Sequence, residues 1–251
     1  MFKKFLGLAL IASVALTSCD PSEIIPDTED PTPTPENNTQ TPSFESGDGV
    51  IVALKTRTVT STVIGNTTIE MGTGVAVFGD LAAGNFTDAG TVKLNGKELT
   101  KHSNNTYSYM PSATDITGIN FDNNIKWEVS TPSFTYDAKT QGRDLPEANG
   151  DFTFSGSSIS GSEAFTLALS GSISNADSVY FQINGPNNTI LKRMGGQTTS
   201  VTFSESEMQS LGKSIGCSVT IAPWNYETKE LGGKTIHVVN ELAINKVIEI
   251  N

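Results

Sequence analysis

The sequence predicts an all-β protein, arranged as two tandem Ig-like β-sandwich domains that follow a signal peptide and a disordered tether. Three observations carry this reading. From about Ser46 onward, Gly, Ser, Thr, Asn and β-branched residues alternate in short runs between clusters of turn formers. The runs recur roughly every ten residues, which is sandwich spacing. A loop at 140–150, with Gly142, Pro146, Asn149 and Gly150, divides them into units at 47–137 and 148–251, each of a usual domain size. A single larger sandwich fits the same spacing.

The elements follow in order. Residues 50–60 and 69–78 are β-branched and alternating, each run leading to Gly or Asn. Residues 92–94 and 97–99 flank Asn95-Gly96, the strongest hairpin signal in the chain, because a type I′ turn needs positive φ at both central residues. Strands at 107–110 and 125–129 complete the first unit. The second unit is expected to hold strands at 151–154, 164–169, 178–184, 189–193, 200–203, 215–222, 226–231, 234–239 and 243–250. One helix is expected inside it. Ser204 stands three residues before Glu207 as a capping box, Phe203 is placed to staple onto Met208, and Gly212 ends the turn. The stretch 203–226 resembles a segment of uncharacterised exported lipoproteins, a likeness that implies no activity.

The first 18 residues read as an export signal. Lys3 and Lys4 precede an apolar run at 5–16, about twelve residues and too short for a bilayer core that needs about twenty. Leu16-Thr17-Ser18-Cys19 resembles the lipobox of bacterial lipoproteins. That resemblance implies cleavage before Cys19, lipidation of its thiol and acylation of the freed amine. Two or more acyl chains hold a protein stably on a membrane without a spanning helix. With Cys19 lipidated, Cys217 has no intramolecular partner, so no disulfide framework is expected.

Residues 19–46 read as the tether. Between Asp20 and Glu45 lie six prolines, seven acids and no lysine or arginine. Fixed φ, missing donors and like charges favour an extended, solvated spacer that would reach roughly 80 Å if fully polyproline-like. Asp20 matches an inner-membrane retention signal in one sorting scheme. Glu23, Asp27, Glu29 and Asp30 resemble the acidic surface-export stretch of other Gram-negative lipoproteins, which points to the outer membrane and its outer face; these acids equally serve to keep a stalk soluble.

Composition excludes some function classes. There are 27 acidic against 16 basic side chains, for a formal net charge of −11. Such a chain lacks the basic footprint that collects phosphates, so no nucleic acid partner is expected. Two histidines and two cysteines scattered through the sequence cannot fill a zinc site without carboxylates, and no metal or other cofactor is expected.

Catalytic motifs are also missing. Gly212-Lys213-Ser214 and Gly233-Lys234-Thr235 end like a phosphate-binding loop, but its first glycine is replaced by Glu207 and Thr228. The Ser/Gly run at 155–162 holds no nucleophile elbow. Ile215, Cys217, Val219 and Ile221 share one side of an alternating strand, so Cys217 is expected as a buried thiol rather than a partner for His237. His102 reads as an exposed turn residue, and Asp122-Asn123-Asn124 as a polar turn rather than a calcium loop. No local pattern selects a carboxylate pair for glycoside hydrolysis. The expected role is therefore binding or structural, without enzymatic activity.

Aromatic residues are the remaining candidates. Trp127 shares parity with Ile125 and Val129 and is expected in the first core. Trp224 and Tyr226 fall with Ser218 and Thr220 on a polar side, although Pro223 can return Trp224 to a sandwich edge. The layout of lipobox, tether and tandem sandwiches is similar to glycan-utilisation surface lipoproteins. That resemblance implies glycan contacts at Trp224, Tyr226, Tyr107 and Tyr109, with an envelope protein as the other class of partner.

Overall fold

The structure is a computed structural model and describes residues 46–62, 65–122, 124–154 and 156–251. The expected signal peptide, the lipidation candidate Cys19 and the expected tether up to residue 45 lie outside the described residues. Within them the chain is all-β, with two short helices.

β1 (Gly49–Thr62) and β2 (Gly65–Asp80) form a long antiparallel hairpin. β3 (Asn85–Phe86) follows, then β4 (Val92–Leu94), β5 (Lys97–Glu98), β6 (Thr100–Lys101), β7 (Tyr107–Tyr109), β8 (Lys126–Ser130) and β9 (Ser133–Asp137). β4 and β5 are the expected hairpin, with φ of 49° at Asn95 and 77° at Gly96. After a one-turn helix, Ala138–Gln141, come β10 (Glu147–Ala148), β11 (Ser158–Ile159), β12 (Phe165–Ala168), β13 (Ile173–Ser174), β14 (Ser178–Asn184), β15 (Thr189–Gly195) and β16 (Ser200–Phe203). The second helix, Glu205–Leu211, opens with the expected capping box and ends at Gly212, where φ is 76°. β17 (Ser214–Leu231) and β18 (Lys234–Ile250) close the chain.

A ten-stranded sheet organises the molecule, in the order β15-β14-β17-β18-β1-β2-β7-β6, with β3 beside β2 and β11 beside β18. Its centre is a parallel pair, β1 on β18, in register from Gly49 opposite Ile236 to Val59 opposite Lys246. Where the sequence suggests separate strands at 215–222 and 226–231, and at 234–239 and 243–250, the chain forms two continuous ones. Pro223 is accommodated because the β17–β18 ladder skips Ala222 and Pro223, where the ring offers no N–H. Ile215 departs from the expected alternation and is 79% exposed, since a bulge between Ser214 and Cys217, with Gly216 at φ 80°, shifts the register.

Two hydrophobic cores lie on one face of this sheet. The first gathers Ile51, Ala53, Phe78, Trp127, Tyr136, Ile236 and Val238 under the four-stranded sheet β5-β4-β8-β9. The second gathers Val59, Phe181, Phe203, Met208, Leu211, Ile221, Ile244 and Ile250 under β12, β16 and the second helix. The segment 148–251 thus lends Leu231, Ile236 and Val238 to the first core, and β1 lends Val59 to the second. Between the cores runs a polar seam. Asn225 Nδ2 donates to the Asp144 and Asn175 carbonyls, and Asn240 Nδ2 donates to the Arg143 carbonyl and to Asn225 Oδ1. These bonds fasten the 143–148 connection onto the shared strands.

Candidate functional site

The opposite face of the sheet, here the second face, gathers most of the chemistry that the cores do not use. Strand alternation puts Thr73, Leu54, Glu241, Trp224 and Ser178 in one row across β2, β1, β18, β17 and β14. Ala222, Tyr180 and Arg193 continue the neighbouring row toward β15. Beyond them stand Ile69, Thr58, Asn245, Thr220 and Gln182, in a row that is mostly hydroxyl and amide. In the other direction lie Val52, Val239 and Tyr226, then Val50 and His237.

Geometry joins the middle rows. Trp224 stacks on Tyr180 with centroids 5.8 Å apart and planes 12° from parallel. The Arg193 guanidinium lies 5.1 Å from the indole, and its Nε and Nη2 donate to Ser178 Oγ. Glu241, cross-strand partner of Trp224, is 2% exposed. Among the described residues its Oε2 has no hydrogen-bond partner, nor does Trp224 Nε1. Burial alone pushes the Glu241 carboxyl up to about 8, so it is largely protonated at neutral pH. Burial also raises the Tyr180 hydroxyl, with Arg193 opposing that shift and Glu241 adding to it.

At the far row, Tyr226 stacks on His237 at 5.6 Å. His237 Nε2 donates to the Ser46 carbonyl, and its Nδ1 lies 2.8 Å from the Tyr226 hydroxyl. At the polar end, Thr220 Oγ1 donates to Asn245 Oδ1, Gln182 Nε2 to Asn184 Oδ1, and Asn184 Nδ2 to Ser218 Oγ.

The four aromatic candidates do not converge. Trp224 and Tyr226 share the second face, but Tyr107 and Tyr109 pair with Ala76 and Gly74 and so face the first core. Tyr107 is 1% exposed, donates to Asp88 Oδ1 and accepts from Ala89 N. Tyr109 donates to Asp115, which also holds Lys97. Trp224, at 2% exposure, stacks on Tyr180 with the Arg193 guanidinium near its ring, so the indole is covered rather than open. Its parity correctly puts it beside Ser218 and Thr220, but parity does not say how deeply that side is buried.

Cys217 and His237 lie on opposite faces, since Cys217 pairs with Ile248 of the second core. Burial pushes the Cys217 thiol up, and its Sγ donates to the Ser214 carbonyl. His102 is exposed and bonds Ser108 Oγ. Glu241 is not among the residues the sequence motifs single out. Its signal was present, an acid flanked by Val238, Val239, Leu242 and Ala243 in an otherwise apolar strand.

Among the described residues no group of three or more His, Cys, Asp or Glu is placed to hold a metal ion, and no helix is long and apolar enough to cross a membrane. No protein-family model matches the chain, and no curated protein matches it in sequence.

Proposed function

We propose that this chain is a lipid-anchored protein of the bacterial cell envelope with a binding or structural role and no catalytic activity. Acyl groups on Cys19 hold it at the outer membrane, and the acidic tether displays the β-rich body at the cell surface. The observation that carries the reading is the run Leu16-Thr17-Ser18-Cys19, placed just after a short apolar stretch and just before a segment of acids and prolines. In this reading the body is two sandwich-like Ig-type units, one per core, with β17 and β18 common to both. Glu241 is the one carboxyl in the central rows of the second face, and Cys217 is turned away from His237; both placements favour recognition over chemistry.

The test is mass spectrometry of the N-terminal peptide from native protein, together with fractionation of a Cys19→Ser chain. Diacylglyceryl and acyl mass on Cys19, and release of the variant into the soluble fraction, are expected. An unmodified N-terminus would overturn the reading.

One observation favours a second reading, a glycan-binding accessory. The half-exposed Asn184, Ser218 and Asn245 extend the hydroxyl and amide row of the second face and suit a neutral polyol. Retardation on a polysaccharide gel that is lost in Asn245→Ala would support it, and migration unaffected by every glycan would remove it.

A further inference from the structure

Asn95, Asn149 and Asn184 each precede a glycine. In such a dipeptide the glycine nitrogen, with no neighbouring Cβ in its way, can reach the asparagine Cγ, a ring closure that profits from intramolecular proximity. Whether it does so depends on how firmly the fold holds the side-chain amide.

Two of the three amides are held. Asn95 Nδ2 donates to the Asn120 and Asn124 carbonyls at 2.6 and 2.7 Å, and its Oδ1 accepts from Lys126 N. Asn184 Oδ1 accepts from Gln182 Nε2 and Thr189 Oγ1, and its Nδ2 donates to Ser218 Oγ. The Gly185 N–H is also engaged, by the Asn188 carbonyl. Neither amide can turn its Cγ toward the next nitrogen without giving up all three hydrogen bonds.

Asn149 differs. Both it and Gly150 are exposed, and among the described residues neither the Asn149 side-chain amide nor the Gly150 N–H has a hydrogen-bond partner. The backbone on either side is nevertheless pinned. Asn149 N donates to the Ser172 carbonyl, Asp151 N to Ser170 Oγ, and Ser170 N to the Asp151 carbonyl. Gly150 has φ +82°, and a Cβ there would lie 2.6 Å from Gly171 N, so the turn itself demands the glycine that makes the dipeptide reactive.

We propose that Asn149 is a self-modification site at which water is the only co-reactant. The Gly150 nitrogen loses its proton and bonds to Asn149 Cγ, and the side-chain nitrogen leaves as ammonia, giving a cyclic imide. Water then adds to either imide carbonyl and breaks one C–N bond, leaving aspartate, or isoaspartate where the main chain now runs through Cγ. One water is consumed, one ammonia is released, and nothing is oxidised or reduced. Both products put a carboxylate between Glu147 and Asp151. Isoaspartate also adds a methylene to a main chain tied at Asn149 N and Asp151 N, so the 149–151 turn loosens from 170–172. The reaction requires neither lipidation nor a ligand and is independent of the envelope reading.

The experiment ages the mature chain carrying Cys19→Ser in mildly alkaline buffer and reads each site by peptide mass spectrometry that separates aspartate from isoaspartate. Asn149 should convert at least about tenfold faster than Asn95 or Asn184, because each of those must first break three hydrogen bonds. Isoaspartate should accompany aspartate at residue 149, and the three rates should converge in urea. Equal rates at the three sites of the folded protein would overturn the proposal. Aspartate without isoaspartate would overturn it too, as direct hydrolysis that never engages Gly150. The loosening is read by amide hydrogen exchange at Asp151, expected to be several-fold faster in aged than in fresh protein. Fresh Asn149→Asp, which carries the charge without the methylene, should exchange like the parent. Exchange unchanged by ageing, or raised equally in Asn149→Asp, would overturn the loosening by isoaspartate.

Discussion

The two faces of the ten-stranded sheet each bury a tryptophan whose Nε1 finds no partner among the described residues, but they bury it in different company. Trp127 projects from β8 of the four-stranded sheet into the first core, among Leu94, Ile125, Val129 and Tyr136. Trp224 stacks on an aromatic ring with a guanidinium close to its indole, beside a carboxyl whose Oε2 has no hydrogen-bond partner among the described residues. Around Trp127 the neighbours are apolar side chains and the Tyr136 ring. Beside Trp224 an unpartnered carboxyl is added to the unpartnered indole N–H, which forgoes one further hydrogen bond worth about 1 kcal/mol.

The contrast can be broken most directly at its apolar pole. Trp127→Ala should lower stability by about 4 kcal/mol in urea denaturation, because the hole opens in a close-packed core. Trp224→Ala should lose less, and equal losses would erase the distinction between the faces.

The next effect is electrostatic and confined to the second face. A carboxyl whose pKa is raised by folding holds its proton more tightly in the native state than in the unfolded one. Stability from this source is therefore full below the ordinary glutamate range and falls as pH climbs toward the folded value of about 8. Between pH 5 and 8 the loss should be about 3 kcal/mol, and Glu241→Gln should flatten that slope. An unchanged slope would mean that Glu241 is ionised and paired.

The seam between the cores comes third. Asn240→Ala should cost about 2 kcal/mol, since it removes the donor to the Arg143 carbonyl and to Asn225 Oδ1. Faster proteolysis at 141–150 should accompany it. The smallest change is Ser204→Ala, which should cost about 1 kcal/mol by removing the cap of the helix above the second core.

These effects also mark what sequence could and could not disclose. Signals completed within a few residues were legible. Asn95-Gly96 makes its hairpin, Ser204 and Glu207 make their box, and the parity of Trp127 with Ile125 and Val129 places it in the core. Pairings that close long loops were not. Nothing local announces that Gly49 will lie beside Ile236, and so nothing local shows that one strand serves two cores. Pro223 looks like a strand end because its missing donor is a local fact, whereas the neighbour that does without that donor is a distant one. The candidate site suffered likewise. Parity puts Trp224 and Tyr226 on the side they occupy, whereas only the register of β7 on β2, a pairing that closes a long loop, separates Tyr107 and Tyr109 from them.

The parallel β1–β18 pair has a mechanical meaning. A pull delivered through residue 46 enters β1 at its first residue and runs along the strand, while β18 lies alongside in the same direction over eleven registered positions. Such a load shears the ladder as a block instead of unzipping it bond by bond. A body tugged from its amino terminus should resist extension through its central strands, and should yield first at its peripheral hairpins if grasped anywhere else.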